Sequence, residues 1–374
     1  MGNEKKIVVF VLRFSGDKNS AYHNRQQMLL KMLQNSFDVK TFQIEFIKKD
    51  NIFLKILNGI KFRIKLGLLA LNVPKSTNDI KNVIFLFSTS ALTGLIVKII
   101  CQIKKNKLII ENSEYPTPIL KKNKIKKILY KLFVLKWQYK LYDGLFLMTD
   151  NLIDFYRNYV RKKCVIQKLP MTVDFARFEN LKKNTNENYI AYAGSLSNKK
   201  DGVLYLINAF KKISIKYKNV NLKIAGGQKH EIKEILNIVK KNNLEDRVEL
   251  LGLIDSDEIP SFLKNAKVLV LPRPNSLQAQ GGFPTKLGEY LATGNPVIVT
   301  NVGEISKYLN DNEVFFINSY NIEEELIYML DFVLSNYKLA LKIGENGKQK
   351  AFEEFSIEIN SKKIKNMINK VLSS

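Results

Sequence analysis

Short, continuously apolar runs separated by longer amphipathic stretches recur along the whole chain. The first half contains KIVVFVL (6–12), VIFLFS (83–88), KLIIE (107–111) and GLFLMT (144–149). The second contains YIAYAG (189–194), NLKIAG (221–226), RVELLG (247–252), KVLVLP (267–272), PVIVT (296–300) and EVFFI (313–317). A strand that is apolar on both sides is one covered on both faces, which parallel sheets with helical crossovers provide. Helical patterns fill the gaps, over 202–217, 229–242 and 321–335 among others. The pattern predicts an α/β protein of two Rossmann-like, doubly wound domains, with ligand expected where strand C-terminal ends face each other. Between 165 and 188, VIQKLPMTVDFARFENLKKNTNEN loses its period and turns polar, which marks a linker. We therefore expect a first domain over 1–170, a second over 171–350 and a C-terminal helix over 351–374. That helix packs back on the first domain in one arrangement and caps the second in another.

Composition narrows the class. With 374 residues, 45% hydrophobic and 25% charged, the chain can bury two cores, which excludes disordered, collagen-like and disulfide-stapled proteins. Cys101 and Cys164 form no CxxC pair, which suits a reducing, cytoplasmic compartment. His23 and His230 are the two imidazoles, so a histidine-based zinc site or a Ser-His-Asp triad has little to be built from. The six apolar residues 7–12 end at Arg13, short of the ~7–15 of a signal h-region. Residues 83–97 are broken by Ser88, Thr89, Ser90, Thr93 and Gly94, and fall below the ~18 apolar residues of a spanning helix. The formal charge of +25 is lopsided: residues 1–180 hold 33 basic and 13 acidic side chains, residues 181–374 hold 27 and 22. The first half therefore favours an anionic surface.

Residues 271–303, LPRPNSLQAQGGFPTKLGEYLATGNPVIVTNVG, close a strand, cross a glycine-containing loop, enter a helix at a proline and return to a strand. Pro284 suits the first helical turn, and Gly294 before Pro296 is a helix stop. Free amides near Gly282, Phe283 and Thr285, together with the helix dipole, make an anion site to which Lys286 adds a full charge. Glu289 lies one turn further on the same face, within reach of ribose hydroxyls once a diphosphate sits at the helix start. The same spacing equally fits a capped crossover helix with an ordinary Lys286/Glu289 surface pair.

These residues resemble a known family. GGFPTKLGEYLATGNPVIVT looks like the donor-site signature of the family 4 glycosyltransferases of GT-B fold, in which two glutamates separated by seven residues frame a nucleotide sugar. YAGSLSNKKDGVLYLINAF resembles that family's glycine loop, basic residue and helix. LKIAGG and VELLGLIDSDEIPSFLKNAKVLVLP resemble the units that follow, and VDFARF (173–178) resembles its interdomain segment. The resemblance covers about 170–310 and is weak over 1–150.

It implies GT-B architecture, the nucleotide lying in the cleft between domains, and a retaining, metal-independent transfer (EC 2.4) without a cofactor. UDP-sugars are the commoner donors in the family, GDP-sugars the alternative. Residue by residue, Glu289 matches the second glutamate, which binds the donor ribose. Lys200 or its neighbour Lys199 matches the basic residue that grips the diphosphate. Gly194, Ser195, Gly281, Gly282, Phe283, Pro284 and Thr285 complete the donor set. Two positions depart from the pattern: Gly281 stands where the first glutamate is usual, and Ser195 where an arginine often follows the loop glycine. Arg273 and Gln280 are close enough in sequence to compensate, and Lys286 can supply the missing charge. Asp255 and Asp257 invite a metal reading, but Asp255 with Glu258 fits a helix N-cap and its reciprocal partner better.

In the first half, KIVVFVL runs into a polar loop and helix where Arg13, Ser15, Gly16 and His23 are candidates for acceptor or diphosphate contact. KLIIE leads into ENSEYPTP, which puts Glu111 and Glu114 at another strand end. Glu114 is the candidate for orienting or deprotonating the incoming hydroxyl. A pair of loop carboxylates bonded to nearby lysines explains them as well, and a lone His23 fits an ordinary surface residue.

From Tyr115 to Tyr142 there is no acidic residue, while lysines alternate with Ile125, Ile128, Leu129, Leu132, Phe133 and Trp137. Residues 51–71 repeat the pattern around Lys55, Lys61, Arg63 and Lys65. Such helices fit an anionic membrane surface, contacted through residues 51–71 and 121–140, and fit a crossover helix with a solvated lysine face too. The leading expectation is a glycosyltransferase peripheral on the inner face of the cell membrane, extending a glycan or polyprenyl-linked acceptor in envelope polysaccharide assembly. The alternative is a GT-B partner that binds nucleotide without turnover. Nucleic acid is not an expected partner, because no recognised motif accompanies the charge.

Overall fold

The computed structural model describes residues 6–15, 21–45, 52–87, 90–121, 123–184 and 186–374. The chain divides into two units, 1–170 with 357–374, and 171–356, so that it passes from one to the other after Pro170 and again after Ser356.

The first unit opens with β1 (Lys6–Ser15), α1 (Ala21–Gln34), β2 (Asp38–Glu45) and α2 (Ile52–Leu71). β3 (Ile80–Leu86), α3 (Ala91–Ile103) and β4 (Lys107–Asn112) follow. Next come α4 (Thr117–Leu120), α5 (Lys124–Tyr130), a π turn at Lys131–Leu135 and α6 (Lys136–Gln138). β5 (Gly144–Leu147), α7 (Asp150–Arg157) and β6 (Val165–Lys168) complete the sheet. All its strands are parallel, in the order β2-β1-β3-β4-β5-β6. Right-handed crossovers put α1 on one face and α2, α3, α5 and α6 on the other.

Two of these strands escape a search for continuous apolar runs, and both are sheet edges. In β2 the buried Ile44 and half-buried Phe42 alternate with exposed Thr41 and Gln43, because an edge strand is covered less completely. β6 occupies the first four residues of the polar stretch read as linker, and all four are only half-buried.

The second unit runs β7 (Tyr189–Ala193), α8 (Asn198–Asp201), α9 (Val203–Lys216), β8 (Asn221–Ala225), α10 (Lys229–Lys241) and β9 (Val248–Gly252). It continues with α11 (Ile259–Asn265), β10 (Val268–Leu271), α12 (Leu277–Gly281), α13 (Thr285–Ala292) and β11 (Val297–Thr300). β12 (Phe315–Ile317), α14 (Ile322–Ser335) and α15 (Tyr337–Phe355) close it. The sheet is again parallel, ordered β12-β11-β10-β7-β8-β9. From β7 the chain winds outward through β8 and β9, then returns to the other side of β7 at β10. The β7/β10 boundary is therefore the topological switch point, where such sheets hold ligands.

The last helix, α16 (Ile357–Ser373), belongs to the first unit. It lies beside α1, and its Ile364, Met367, Ile368 and Val371 join Val9, Phe85 and Phe146 of the sheet in one fully buried core. Each such side chain contributes about 1.5–3 kcal/mol when withdrawn from water. Gly144 admits the helix: a Cβ there would stand 2.4 Å from the Met367 methyl.

Candidate functional site

The loop after β7 and the start of α13 meet at the switch point. Lys286, in the first turn of α13, sends its ammonium across Gly194, where a Cβ would lie 1.9 Å from Nζ. A side chain at this position would displace the lysine from its path. Lys286 Nζ donates to Asp201 Oδ2 at 2.6 Å and to the Tyr192 hydroxyl at 3.4 Å, and lies 5.3 Å from the Tyr192 ring centre. Asp201 closes α8 and is buried, and Gly202 follows it with φ +73°; a Cβ on Gly202 would collide with the Pro272 carbonyl at 2.0 Å. Burial pulls the Lys286 ammonium below its ordinary value; Asp201 opposes this, while Lys200 and Arg273 add to the fall by repulsion. Half-buried Lys200 and buried Arg273 thus stand near enough to repel Lys286, whose ion-pair partner is Asp201, and Arg273 lies just beyond β10. To their charge α13 adds the amides of Thr285 and Lys286, which precede the first intrahelical bond, that of Leu287 to the Pro284 carbonyl.

Glu289 lies one turn deeper. Arg177 Nη1 donates to its Oε1 at 2.8 Å, and the same guanidinium reaches the Ser256 carbonyl and, at 3.4 Å, its hydroxyl. Burial pushes the Glu289 carboxyl above the usual carboxylate range, and Arg177 pulls it back. α13 approaches this region closely because Gly288 has no side chain: a Cβ there would stand 2.4 Å from Val173.

Several sequence-predicted residues take more specific places than expected. Pro284 is the N-cap of α13, and the helix starts at Thr285, which is exposed. Phe283 turns its ring into a cluster with Tyr308 and Phe355, at 5.6 and 5.5 Å between ring centres, so that what it offers a ligand is backbone. Gly281 ends α12 and is buried. Gln280 donates to Asn275 at 3.2 Å. Ser195 accepts the Tyr192 hydroxyl on its carbonyl at 2.5 Å and the Ser197 amide on its own hydroxyl at 3.2 Å. Lys199 is exposed on α8, next to Lys200. At 255–258 the Glu258 carboxylate accepts the Asp255 amide at 3.2 Å, yet α11 begins only at Ile259, with Glu258 as its N-cap. Among the described residues no three His, Cys, Asp or Glu side chains are grouped to hold a metal ion.

In the first unit the candidates sit at the ends of β1 and β4 and on α1. Arg13 Nη2 donates to Gln43 at 2.6 Å, and half-buried His23 shares a 3.1 Å hydrogen bond with Gln27. Ser15 ends β1, while Gly16 lies outside the described residues. Glu114 is exposed in the loop after β4. The Glu111 carboxylate is committed to a buried ion pair with Arg25 at 3.2 Å, and burial pushes it up against the pull of that arginine. Arg25 also donates to the carbonyls of Leu169 and Pro170, at 3.1 and 3.0 Å. A carboxylate so paired ties α1 to the end of β4.

Sequence reasoning missed Asp201, Arg177 and Arg25. The first two stand within quoted motifs, NKKD and VDFARF, but their partners Lys286 and Glu289 lie 85 and 112 residues away.

Residues 174–350 match the family model described as glycosyl transferases group 1. A glycosyltransferase of Methanocaldococcus jannaschii, itself uncharacterised, is 32% identical over 148 residues, 40% of this chain and 39% of that protein. The lipopolysaccharide 1,2-N-acetylglucosaminetransferase of Salmonella typhimurium is 25% identical over 198 residues, 48% of this chain and 49% of the relative. The chain thus spans less than half the length of these curated relatives. Among solved structures, Anabaena HepE in complex with UDP superposes with a TM-score of 0.71 at 14% identity, over 96% of this chain and 99% of that one. Sucrose-phosphate synthase of Thermosynechococcus elongatus gives 0.71 at 15% identity, over 99% and 100%. The fold is therefore GT-B, two Rossmann-like units, and the stretch that carries Lys200, Lys286 and Glu289 is the one that matches the glycosyl transferases group 1.

Proposed function

We propose that the protein moves a sugar, with retention and without a metal ion, from a nucleotide sugar to a glycan or lipid-linked acceptor of the cell envelope. A UDP-sugar is the preferred donor and a GDP-sugar the alternative. The observation that carries this reading is the cluster of Lys200, Lys286 and Arg273 at the second sheet's switch point, with Glu289 one helical turn away. Departure of a nucleoside diphosphate leaves negative charge on its β-phosphate, and preorganised cations and helix amides stabilise that charge as it develops. Glu289 accepts from the ribose hydroxyls, held by Arg177. Glu114, exposed after β4, orients the acceptor hydroxyl, and Arg13 and His23 of the first unit serve acceptor or diphosphate contact. HepE was solved with UDP and with UDP-glucose, and the Salmonella relative is a lipopolysaccharide transferase; both support the choice of donor and acceptor class. An anionic surface on the inner face of the membrane is the expected location. Gly281, where the family pattern has a carboxylate, favours a second reading in which nucleotide is bound without turnover.

Purified protein is expected to release UDP from one of UDP-glucose, UDP-N-acetylglucosamine or UDP-galactose when a lipid-linked glycan is present, undiminished by a chelator. Nucleotide binding with no release from any donor, GDP-mannose included, selects the non-catalytic partner.

The perturbed Glu289 carboxyl gives the site a pH signature. The ionised form accepts from ribose hydroxyls more strongly than the protonated one, so UDP affinity is expected to fall as pH drops through a value above the ordinary carboxylate range. Arg177→Met removes the group that lowers that value, and the acid limb should move up by about one pH unit. Calorimetric titration of both proteins across pH reads the shift; coincident limbs remove Arg177 from the site.

A further inference from the structure

The outer helices of the first unit carry apolar residues on their solvent side. On α2, Ile60, Ile64 and Leu68 are exposed at four-residue intervals, one stripe of a helix. α3 packs directly beside α2: a Cβ on Gly67 would lie 3.0 Å from Ile96. Its Ile99 and Ile103 are exposed as well, Ile103 by 70%. α6 flanks α3 on its other side, and along α5, the π turn and α6 a second stripe runs through Ile125, Leu129, Phe133 and Trp137. The stretch is anchored at its C-terminal end by the buried Leu135 and, just after it, Tyr139, while Ile128 and Leu132 are exposed beside the stripe, so its apolar side chains are turned outward and not into the core. Lys61 and Lys65 on α2 and Lys124, Lys126, Lys131 and Lys136 on the α5–α6 stretch are exposed around the stripes. Residues 51–78, 80–110 and 115–142 contain no Asp or Glu.

We infer that α2, α3 and the α5–α6 stretch form one membrane-docking face, with α3 at its centre, that inserts these apolar side chains among the acyl chains of an anionic bilayer. The inference rests on the membrane location proposed above and gives it residues. Charge complementarity chooses the occupant. A protein partner meets a rim of mixed sign, whereas a cationic rim without interspersed carboxylates suits a continuous anionic surface. Apolar stripes beside that rim are the composition of a helix lying in the headgroup boundary. The face lies on the bilayer and does not cross it, since no helix among the described residues is long and apolar enough to span one.

The chain contains a single tryptophan, and Trp137 is on this face. Its emission is expected to shift to the blue when the full chain meets vesicles of phosphatidylcholine with phosphatidylglycerol, and to be quenched by brominated acyl chains. Vesicles of phosphatidylcholine alone should produce little change. The double variant Ile99→Asp/Ile103→Asp, at positions exposed in the folded protein and outside the two lysine-rich stretches, should lower vesicle partitioning by about tenfold or more. Its circular dichroism and UDP affinity should stay as in the parent chain. The proposal is overturned by emission that ignores anionic vesicles, by full binding of the double variant, by a shift that follows protein concentration without lipid, or by duplex DNA competing the vesicles away. Loss of UDP binding with vesicle binding intact would instead remove the transferase reading and leave this face standing.

Discussion

Replacing Glu289 by alanine is expected to lower kcat/KM for the donor by about 10²-fold, with UDP affinity falling in parallel and the melting temperature moving little. Its carboxylate is held by Arg177 at 2.8 Å and remains a third exposed, so it is oriented yet open to a ligand. A hydrogen bond from a ribose hydroxyl to an oriented carboxylate is worth about 1.5–3 kcal/mol, and two such bonds from vicinal hydroxyls account for the expected factor. Glu289→Gln keeps the acceptor oxygen without the charge and should recover part of the loss. Kinetics indistinguishable from the parent enzyme would dismiss Glu289 from the donor site.

The second large effect concerns Lys286, whose two roles can be separated. Lys286→Met leaves Asp201 buried without its partner, and breaking a buried pair from one side costs about 3–5 kcal/mol. Because Lys286 keeps a quarter of its side chain exposed, the low end applies, a fall of roughly 10 °C in melting temperature for a unit of this size. Adding Asp201→Asn removes the stranded charge and should restore most of the stability. Activity should stay down by about 10²–10³-fold in both variants, because the missing ammonium no longer meets the leaving diphosphate. Transfer that returns together with stability would make Lys286 a structural residue only. Differential scanning calorimetry and donor turnover on the same preparations distinguish the two.

The segment proposed for the donor was legible in the sequence because its parts are contiguous. Gly282, Phe283, Pro284, Thr285, Lys286 and Glu289 lie within one loop-to-helix segment, whose shared helix face follows from helical spacing alone. Electrostatic partners were not legible in the same way. Lys286 reads as free charge until Asp201 is brought to 2.6 Å by the turn between α8 and α9, and Glu289 reads as an open carboxylate until Arg177 reaches it. Glu111 is the reverse case. Its place at a strand end suggested a ligand, and the tertiary fold spends it on Arg25.

What the sequence determined by itself was the parallel α/β class, since strands buried on both faces must be continuously apolar, and the location of the loop-to-helix segment that carries Lys286 and Glu289. Edge strands β2 and β6 lay beyond it, because partial burial erases that mark. The amphipathic stretches at 51–71 and 121–140 were equally plain as periodicities, but a period has no sign: it announces a stripe without saying which way the stripe points. Only packing decided that Leu135 and Tyr139 face inward while Ile125, Phe133 and Trp137 face solvent, and only packing laid α3 between the two stretches. Burial is a property of what an element lies against, and that depends on residues far away along the chain.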